Sequence, residues 1–384
     1  MLTGGTSALY RQVLAAGGAA WTVRVEVWQR PAGTWIRVDP FGDAGLPITS
    51  GSLSATLANG VTRTVSLTVP MSQQLYRNGT SMIPLAGGDL LDPLASELRI
   101  RAGWKAGAAV VGWWPVFTGP IVDVSAQTGT GDLNVSASDR AEGVVASKFV
   151  SPRSAPTDTP LVTTLIRDLI DDVWGPGSFG DHDETYTTVP KMTWDVERSS
   201  ALGSMASAAT CFWYAVADGT FTVRRIPWAA ASYGTPLVTF ADGAGMLDAS
   251  VRLSRSGVCN IAVVPSSNTS GSDPFYGTSW DLDPGSRTRV DGPLGRRVLR
   301  ADGENVTSSG QADTIAKAKR LRSLASLEEW SMRIVSDPSL ELGDVCRIMT
   351  MGVQRDVALA SFTLPLSGAP EMSTSWRRAG GEVS

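Results

Sequence analysis

The chain has 384 residues, a hydrophobic content of 42% and a formal net charge of −4, which is typical of globular domains and leaves room for two or three of them. The acidic balance and the lack of any lysine or arginine cluster argue against a dedicated nucleic-acid surface, because such a surface needs concentrated positive charge. No apolar run approaches the ~20 residues of a membrane span. The three cysteines lie far apart, which indicates reduced thiols in a cytosolic product and not a disulfide framework.

The N-terminal segment resembles a secretion signal only in part. Arg11 and Gln12 interrupt a short stretch of alanine and glycine. We therefore expect a capped helix over residues 6–16 that ends at Gly17-Gly18.

Short alternating strands dominate the chain as far as residue 150. The predicted strands are 21–28, 35–38, 51–57, 63–69, 97–104, 116–124 and 132–138. Asn59-Gly60 supplies a turn between two of them, and 70–94 is rich in loop residues. Strands of this length at this spacing predict an antiparallel barrel or sandwich.

A segment rich in proline, serine and threonine, 151–160, marks a boundary. Thr159 can cap a helix, and Pro160 suits its first position. Apolar residues at helical spacing then predict a helix over 161–173, which Gly175-Pro176 ends. An acidic loop follows at 177–190.

Residues 193–226 predict a compact α/β unit. A short strand precedes a helix capped by Ser199 or Ser200, and the strands 211–217 and 220–226 follow. Asp218-Gly219 between them favours a two-residue primed turn. We expect the aromatic strand that begins at Cys211 to pack on the 160–174 helix.

Apolar and polar residues alternate again in the rest of the chain. The predicted strands there are 237–240, 259–264, 330–335, 345–349 and 362–364. We interpret the long segment 265–300 as a loop that makes contacts. We expect the tail from Ser373 to be frayed. A capping-box spacing between Ser308 and Gln311 predicts the start of a last helix. Its predicted inner face is Ile315, Ala318, Leu321, Leu324 and Ala325, and its predicted outer face is Lys317, Lys319, Arg320 and Arg322.

Catalytic patterns are weak. The single histidine, His182, lies in the run Asp181-His182-Asp183-Glu184, which can hold a divalent cation but is more simply a solvated acidic loop. No histidine lies near a cysteine or a G-x-S-x-G pattern in sequence, so a nucleophilic mechanism lacks its base.

A glycosidase mechanism needs only two carboxylates, so the sequence does not exclude this class of enzyme. The densest set is Asp168, Asp171 and Asp172, and a solvated helix face explains it more simply. Arg296-Arg297 and Arg377-Arg378 are interpreted as surface or interface pairs. We therefore predict no enzyme, no catalytic, cofactor-binding or metal residue, and no cofactor.

The order of several segments resembles a known family. These segments are FTGPIVDVSAQ, LNVSASDRAEGVV, LGSMASAATCFWYAVADGTFTVRRI, QADTIAKAKRLRSLA and EWSMRIVSDPSLELGDVCRIM, between 117 and 349. In this order they resemble the hub proteins of tailed-bacteriophage tails, the baseplate hubs and the N-terminal hub modules of tail-associated lysins. The segment FYGTSWDLDPGSRTRVDGPLGRR is also similar to minor tail proteins.

The resemblance implies a mainly β fold with an α+β insertion. It implies two antiparallel β-barrel-like tube domains, at 1–150 and 236–384, with a small α/β domain at 151–235 between them. Three subunits would place six barrels in a ring that matches a hexameric tail tube. The 193–226 unit then belongs to an insertion between two barrels and is not an active site.

The function that the resemblance implies is structural. The chain is expected to form a homotrimeric ring at the virion tail tip, after synthesis in the host bacterial cytoplasm. The ring would contact distal tail and tube proteins, tape-measure protein and spike or fibre proteins, and let DNA pass without sequence-specific binding. The alternatives are a carbohydrate- or cell-wall-binding minor tail protein that uses tryptophan platforms, and a tail-associated cell-wall hydrolase.

Overall fold

The computed structural model describes residues 19–31, 33–71, 83–106, 109–127, 131–155, 160–180, 182, 187–189, 191–225, 227, 236–266, 276–301, 306, 308–367 and 371–379. The helix expected at 6–16 and Thr159 lie outside these ranges. No helix in the described part of the chain is long and apolar enough to cross a bilayer.

The fold is mainly β. The strands are β1 (Ala19–Gln29), β2 (Ile36–Arg37), β3 (Ser50–Thr56), β4 (Arg63–Pro70), β5 (Ser96–Ala106), β6 (Ala109–Gln127), β7 (Asp132–Ser138), β8 (Arg153–Ser154), β9 (Thr193–Trp194), β10 (Cys211–Ala215), β11 (Phe221–Arg225), β12 (Thr239–Asp242), β13 (Gly245–Leu253), β14 (Ile261–Pro265), β15 (Tyr276–Trp280), β16 (Val298–Arg300), β17 (Glu328–Val335), β18 (Val345–Thr350), β19 (Val353–Pro365) and β20 (Glu371–Arg378). The α-helices are α1 (Ala141–Ala146), α2 (Val162–Trp174), α3 (Arg198–Ala208) and α4 (Ser309–Ala325), and Gly42–Ala44 is a short 3-10 turn.

The C-terminal strands form a closed barrel. Their order is β18-β12-β13-β17-β20-β19, and β19 pairs with β18 to complete the circle of six strands. Trp330, Met332 and Trp376 point inward and are almost fully buried. Closure satisfies most of the strand edges, which otherwise attract other strands.

The N-terminal strands form a sheet of order β3-β4-β7-β6-β5-β1-β2. Its two ends come together, because Leu46, just before β3, donates its backbone N–H to Val25 of β1 at 2.7 Å. The indole of Trp21 in β1 likewise donates to the carbonyl of Pro365 in β19 at 3.2 Å. The sheet therefore curls into a barrel-like form around a core shared with the C-terminal strands.

One strand joins the two halves into a single sheet of 13 strands. The first part of β19 pairs with β18, and its last residues, 361–365, pair with β3 in an antiparallel register. The predicted mainly β fold with two barrel-like halves is thus confirmed. The predicted boundaries at 150 and 235 stay a prediction.

The insertion has its own core. α2 and α3 pack against one face of β10 through Leu165, Leu202 and Trp213, which are buried. Phe212 and Tyr214, on the other face of β10, pack against Ala325, Ala358 and Ala379 of the C-terminal half. The aromatic strand therefore packs on the α2 helix as expected, and it also contacts the barrel.

The turn in the β10–β11 hairpin differs from the prediction. Gly219 has φ +87° but Asp218 keeps a negative φ, so the predicted two-residue primed turn is wrong, because both primed types need a positive φ at the first turn residue. Instead, Gly219 N–H donates to Val216 O at 2.9 Å and Val216 N–H to Thr220 O at 2.8 Å. The Asp218 carboxylate accepts from the Thr220 N–H at 2.9 Å, which favours this three-residue loop.

Two helix starts also differ. α3 begins after Glu197 and not after Ser199 or Ser200, and α2 begins after Leu161. Neither helix has a side-chain cap. The start of α4 is confirmed, since the Ser308 hydroxyl accepts from the Gln311 N–H at 3.2 Å.

The last part of the chain contains more structure than expected. The loop predicted at 265–300 includes β15 and β16, which pair with β14, and α4 packs on this small sheet. The tail from Ser373 is not frayed, because Met372 and Trp376 of β20 fill the barrel. Arg320 is not on the outer face of α4. It is buried, and its Nε donates to Ser279 Oγ of β15 at 2.9 Å.

The hairpin turn gives a stability prediction. A Cβ at Gly219 would lie 2.7 Å from Thr118 Cγ2 in a left-handed backbone conformation. Gly219→Ala is therefore expected to lower the free energy of unfolding by about 2–3 kcal/mol, which denaturant titration measures. Gly243→Ala is the control, because it has φ +76° in open space and should lose only about 1 kcal/mol. Equal losses for both variants would contradict the predicted clash.

Candidate functional site

A polar face runs over both halves of the large sheet. Along β3, β4 and β7, serine and threonine alternate with buried apolar residues such as Leu53, Val65 and Val135. Since strand side chains alternate between faces, the hydroxyl groups gather on the side away from the core. We call this the hydroxyl face, which comprises Ser50, Ser52, Ser54, Thr56, Thr64, Ser66, Thr68, Ser125, Asn134, Ser136, Ser138, Ser250, Ser331, Ser361, Thr363, Ser373 and Ser375.

Strand register brings these hydroxyl groups into rows. One row passes directly from strand to strand through Ser250, Ser331, Ser375 and Ser361. A second row follows Thr363, Ser54, Thr64 and Ser138. The rows cross the β19–β3 boundary without interruption, so the two halves present one surface.

Charged side chains of both signs share the hydroxyl face with the serines and threonines. Arg333 of β17 lies 3.6 Å from Asp248 of β13 and 3.4 Å from Glu371 of β20. These ions border a shallow groove of about 330 Å³ that is lined mostly by serine and threonine. Register adds further charged residues to this face, namely Arg252, Glu329, Arg377, Asp123 and Asp132. The surface is therefore polar and hydrated, and it carries charges of both signs.

The face ends at two strand edges. It spans eight strands in the order β13-β17-β20-β19-β3-β4-β7-β6. In the described residues, β13 pairs with β12 only at 245–246, and β6 pairs with β7 but not β5 over 121–127. Residues 247–253 and 121–127 therefore each present one free edge.

Exposed apolar side chains accompany both edges. Leu247, Val251 and Leu253 on β13 are 50%, 39% and 60% exposed, and Val122 on β6 is 49% exposed. Natural proteins usually protect such edges, because free backbone groups and apolar side chains recruit another strand. The two ends of the hydroxyl face are thus suited to pair with another chain.

A buried ionic junction fixes the three parts of the chain behind this face. Arg63 of β4 donates from Nη1 to the carbonyl of Ala215 in β10 at 2.8 Å. Its Nη2 forms an ion pair with Glu341, which lies before β18. The Tyr214 hydroxyl donates to the Leu342 carbonyl at 3.3 Å. N-terminal sheet, insertion and C-terminal barrel therefore meet at one guanidinium group.

Carboxyl groups at this junction are desolvated. Burial raises the pKa of Asp139, although its carboxylate accepts from the backbone N–H groups of Thr62 and Arg63. Burial likewise raises the pKa of Asp344 to about 7, and the nearby Glu341 charge adds to the shift. These groups make the junction sensitive to pH.

A second junction joins the insertion to β5. The guanidinium of Arg140 bonds both oxygens of buried Glu97, at 2.7 and 2.9 Å, and donates to the Gly219 carbonyl at 3.2 Å. Trp174 of α2 lies 5.4 Å from the Arg140 guanidinium and donates to its backbone carbonyl at 3.1 Å. The hairpin and α2 are thereby held against the N-terminal sheet.

The described contacts of His182 are with its own loop. Its ring makes an edge contact with Phe179 at 5.1 Å, and Nδ1 lies 3.4 Å from the Gly180 carbonyl. Asp181, Asp183 and Glu184 lie outside the described residues. Within the described part of the chain, no group of three His, Cys, Asp or Glu side chains is placed to hold a metal ion.

One of the three aspartates of α2 has arginine partners. Asp172 accepts from Arg198 at 2.8 Å and from Arg153 at 3.0 Å, which ties α2 to α3 and β8. Asp168 is exposed and Asp171 is half-buried. Asp172 therefore has a structural role, whereas Asp171 Oδ1 is buried without a hydrogen-bond partner among the described residues.

The arginine pairs divide between two surfaces. Arg296 is exposed with its guanidinium 6.0 Å from the Trp280 ring, and Arg297 donates to the Arg255 carbonyl at 2.6 Å. Arg377 and Arg378 lie on β20 in the barrel wall. Among the tryptophans that the structure describes, Trp280 alone is classed as exposed, at 42%.

The hydroxyl face was missed by sequence reasoning, although its signal is present. The runs GSLSAT, RTVSLTVP, LNVSAS and MSTSW repeat serine or threonine at every second position. Such repeats place hydroxyl groups on one side of a strand. Which strands lie side by side depends on long-range pairing, which these local repeats do not encode.

Solved structures with the same overall arrangement are phage tail proteins. The 43 kDa tail protein of prophage MuSo2 from Shewanella oneidensis has 13% identity and a TM-score of 0.58, and the match covers 92% of this chain and 98% of that one. A tail protein from Neisseria meningitidis MC58 has 11% identity and a TM-score of 0.61, with coverage of 94% and 100%.

Two further structures extend this likeness. Prophage tail protein gp18 from Listeria monocytogenes EGD-e has 10% identity and a TM-score of 0.54, with coverage of 92% and 94%. A chain of the Francisella PdpA–VgrG complex has 8% identity and a TM-score of 0.52, with coverage of 100% of this chain and 62% of that one. The sequence matches no protein-family model and no curated protein.

The chain therefore has the fold of phage tail proteins, which confirms the fold that the family resemblance implied. At these identities the likeness establishes the fold, and the particular function follows as a proposal below.

The ionic junction gives a second stability prediction. Arg63→Met leaves the Glu341 charge without its partner, and should lower the free energy of unfolding by about 3 kcal/mol or more. Arg63→Met with Glu341→Leu should recover much of this loss, because no unpaired charge remains. The control is Lys148→Met, which breaks an exposed pair with Glu197 and should cost under about 1 kcal/mol. A double variant as unstable as the sum of both single variants would contradict the coupling.

Asp344 gives a pH prediction. An unfolded aspartate has a pKa near 3.9, whereas the folded value is about 7. The raised pKa stabilises the fold below pH 4, and this stabilisation is lost as pH rises through 7. Between pH 6 and 8 the wild type should therefore lose about 1.4 kcal/mol more unfolding free energy than Asp344→Asn. Parallel pH profiles, measured by urea titration, would show that Asp344 does not titrate there.

Proposed function

We propose that the protein is a non-catalytic hub of a phage tail, and that the hydroxyl face lines the bore of a ring of subunits. The observation that carries this proposal is the continuity of that face across both halves, with free strand edges at its two ends. The tail-protein fold supports it. Ring formation would place this chain in the virion at the tail tip.

The free edges lead to a ring by simple pairing. If β13 of one copy pairs with β6 of the next, the contact is head-to-tail, since different surfaces of the two copies meet. Head-to-tail contacts generate closed rings when the rotation closes. Closure of the ring would leave no free strand edge. It would also bring Leu253 and Val122, which accompany these edges, into the contact between subunits.

The strand number favours three subunits. Two copies supply sixteen strands, and three copies supply twenty-four, since each contributes eight. At ~4.8 Å between strands, these rings have minimum backbone diameters of about 24 and 37 Å. After side chains on both walls are subtracted, only the larger ring leaves space for a DNA double helix.

The chemistry of the hydroxyl face suits the passage of DNA better than the binding of DNA. Hydroxyl groups remain hydrated and offer no concentrated positive charge, which is what retains nucleic-acid phosphates. The positive charge of Arg333 lies within 4 Å of both Asp248 and Glu371, so two carboxylates offset it. DNA and tape-measure protein would therefore slide through the bore without specific contacts.

The threefold ring would also adapt symmetry. Each subunit contributes two barrel-like halves, so three subunits present six related halves toward a hexameric tube. The same ring presents threefold symmetry toward a spike or fibre. The partners are thus tail-tube or distal tail proteins on one side and tip proteins on the other.

Assembly of the purified chain tests this proposal. Mass photometry and negative-stain microscopy are expected to detect trimers with a central opening. Leu253→Lys places a charge on the β13 edge and should abolish rings, because lysine on an edge strand opposes pairing. Leu237→Lys is the matched control, with 57% exposure away from both edges, and should assemble normally. A wild type that stays monomeric, or a Leu253→Lys variant that still forms rings, would contradict the proposed pairing of β13 with β6.

A further inference from the structure

An exposed apolar surface lies on the small sheet of β14, β15 and β16, away from the large sheet. Tyr276, Trp280, Leu282 and Val298 are 52%, 42%, 64% and 58% exposed. Register places Trp280 opposite Ile261, and Ile261 beside Val298, so these side chains share one face. We call Tyr276, Trp280, Leu282 and Val298 the aromatic face.

The composition of this face is that of a protein contact. Tryptophan, tyrosine and arginine are enriched at the centres of interfaces. Exposed Arg296 lies against Trp280 at 6.0 Å, and exposed Arg300 follows Val298. Thr278 is the uncharged polar residue of the face on β15, so the surface offers few hydrogen-bonding groups to a sugar.

The charge around the face is opposite to that of the rest of the chain. Residues 276–301 contain five arginines and three aspartates, a formal charge of +2, in a chain of net charge −4. Residues 151–235 contain ten acidic and six basic residues, a formal charge of −4. The insertion is therefore the electrostatic complement of the aromatic face.

The insertion also has exposed apolar side chains of its own. Val150 and Val196 are fully and 50% exposed, and they lie on two neighbouring stretches of chain, which the Phe149 N–H joins by donating to the Val196 carbonyl at 3.0 Å. Exposed Asp195 and Glu197 flank Val196, and Glu197 also pairs with Lys148 of its own chain at 2.8 Å. We call Val150, Asp195, Val196 and Glu197 the insertion patch.

Within one chain these two surfaces are separated by α4. On one side α4 contacts the insertion, where Gln311 donates to the Thr188 carbonyl at 3.1 Å and Lys319 to Ser207 at 3.4 Å. On its other side it packs so closely on β15 that a Cβ at Gly277 would lie 2.1 Å from Ala312. The aromatic face is the far surface of that small sheet, and so it points away from its own insertion.

We propose that the aromatic face of one copy docks on the insertion patch of the next copy. The contact is head-to-tail, as the proposed ring requires, and this inference rests on that ring. It adds a contact on the outside of the ring, in addition to the pairing of β13 with β6 around the bore. Apolar side chains fill its centre, and arginines of one copy face carboxylates of the other at its rim.

Self-association of the full chain, measured by analytical ultracentrifugation, tests the contact. Trp280→Ser with Tyr276→Ser, and separately Val150→Ser with Val196→Ser, should each raise the dissociation constant at least tenfold. The wild type should also associate more weakly in 1 M than in 0.1 M salt, because the screening length falls from about 10 to 3 Å. Leu94→Ser is the control, since Leu94 is 97% exposed elsewhere, and it should associate like the wild type.

Mixing the two double variants gives the sharpest outcome. A head-to-tail contact predicts that the mixture forms heterodimers, because each pair keeps one intact aromatic face and one intact insertion patch. Circular dichroism confirms that each variant is folded before mixing. Wild-type association in both double variants would overturn this contact and leave the ring intact. Absence of association in the wild type would instead contradict the ring and this contact together.

Discussion

The pairing of β19 with three different strands is the constraint on which the rest of the structure depends. Its early residues complete the C-terminal barrel through β18 and β20, and its last residues pair with β3. A shift in register between Leu359 and Ser361 lies at the point where the strand changes from one half to the other. Because a slip by one residue would turn every side chain to the opposite face, this strand sets the alignment of all hydroxyl rows.

The ionic junction supports the same alignment from behind. Arg63 is buried and contacts β10 and Glu341, so the sheet, the insertion and the barrel cannot shift independently without leaving an unpaired charge. Breaking one partner of such a pair costs far more than the net contribution of the pair. The insertion acts as a brace that Arg63 and Arg140 hold against the two halves.

The sequence predicted the strands with strong alternation, the helix α2 and the start of α4, because periodicity and capping are local. It missed β20, since its polar residues Ser373 and Ser375 concealed the alternating Met372 and Trp376. It placed Arg320 on the wrong side of α4, because the buried partner Ser279 lies on a distant strand. The hydroxyl face was visible as local repeats, but its continuity follows from the pairing of β19 with β3, over some 300 residues of chain separation.

The central claim is that the hydroxyl face is the wall of a bore. A cryo-electron microscopy reconstruction of the assembled protein tests this most directly. We predict a threefold ring in which Ser331, Ser375 and Ser54 face the central opening and β13 pairs with β6 of the neighbouring subunit. A ring in which these serines face outward, or pack against another subunit away from the opening, would contradict it.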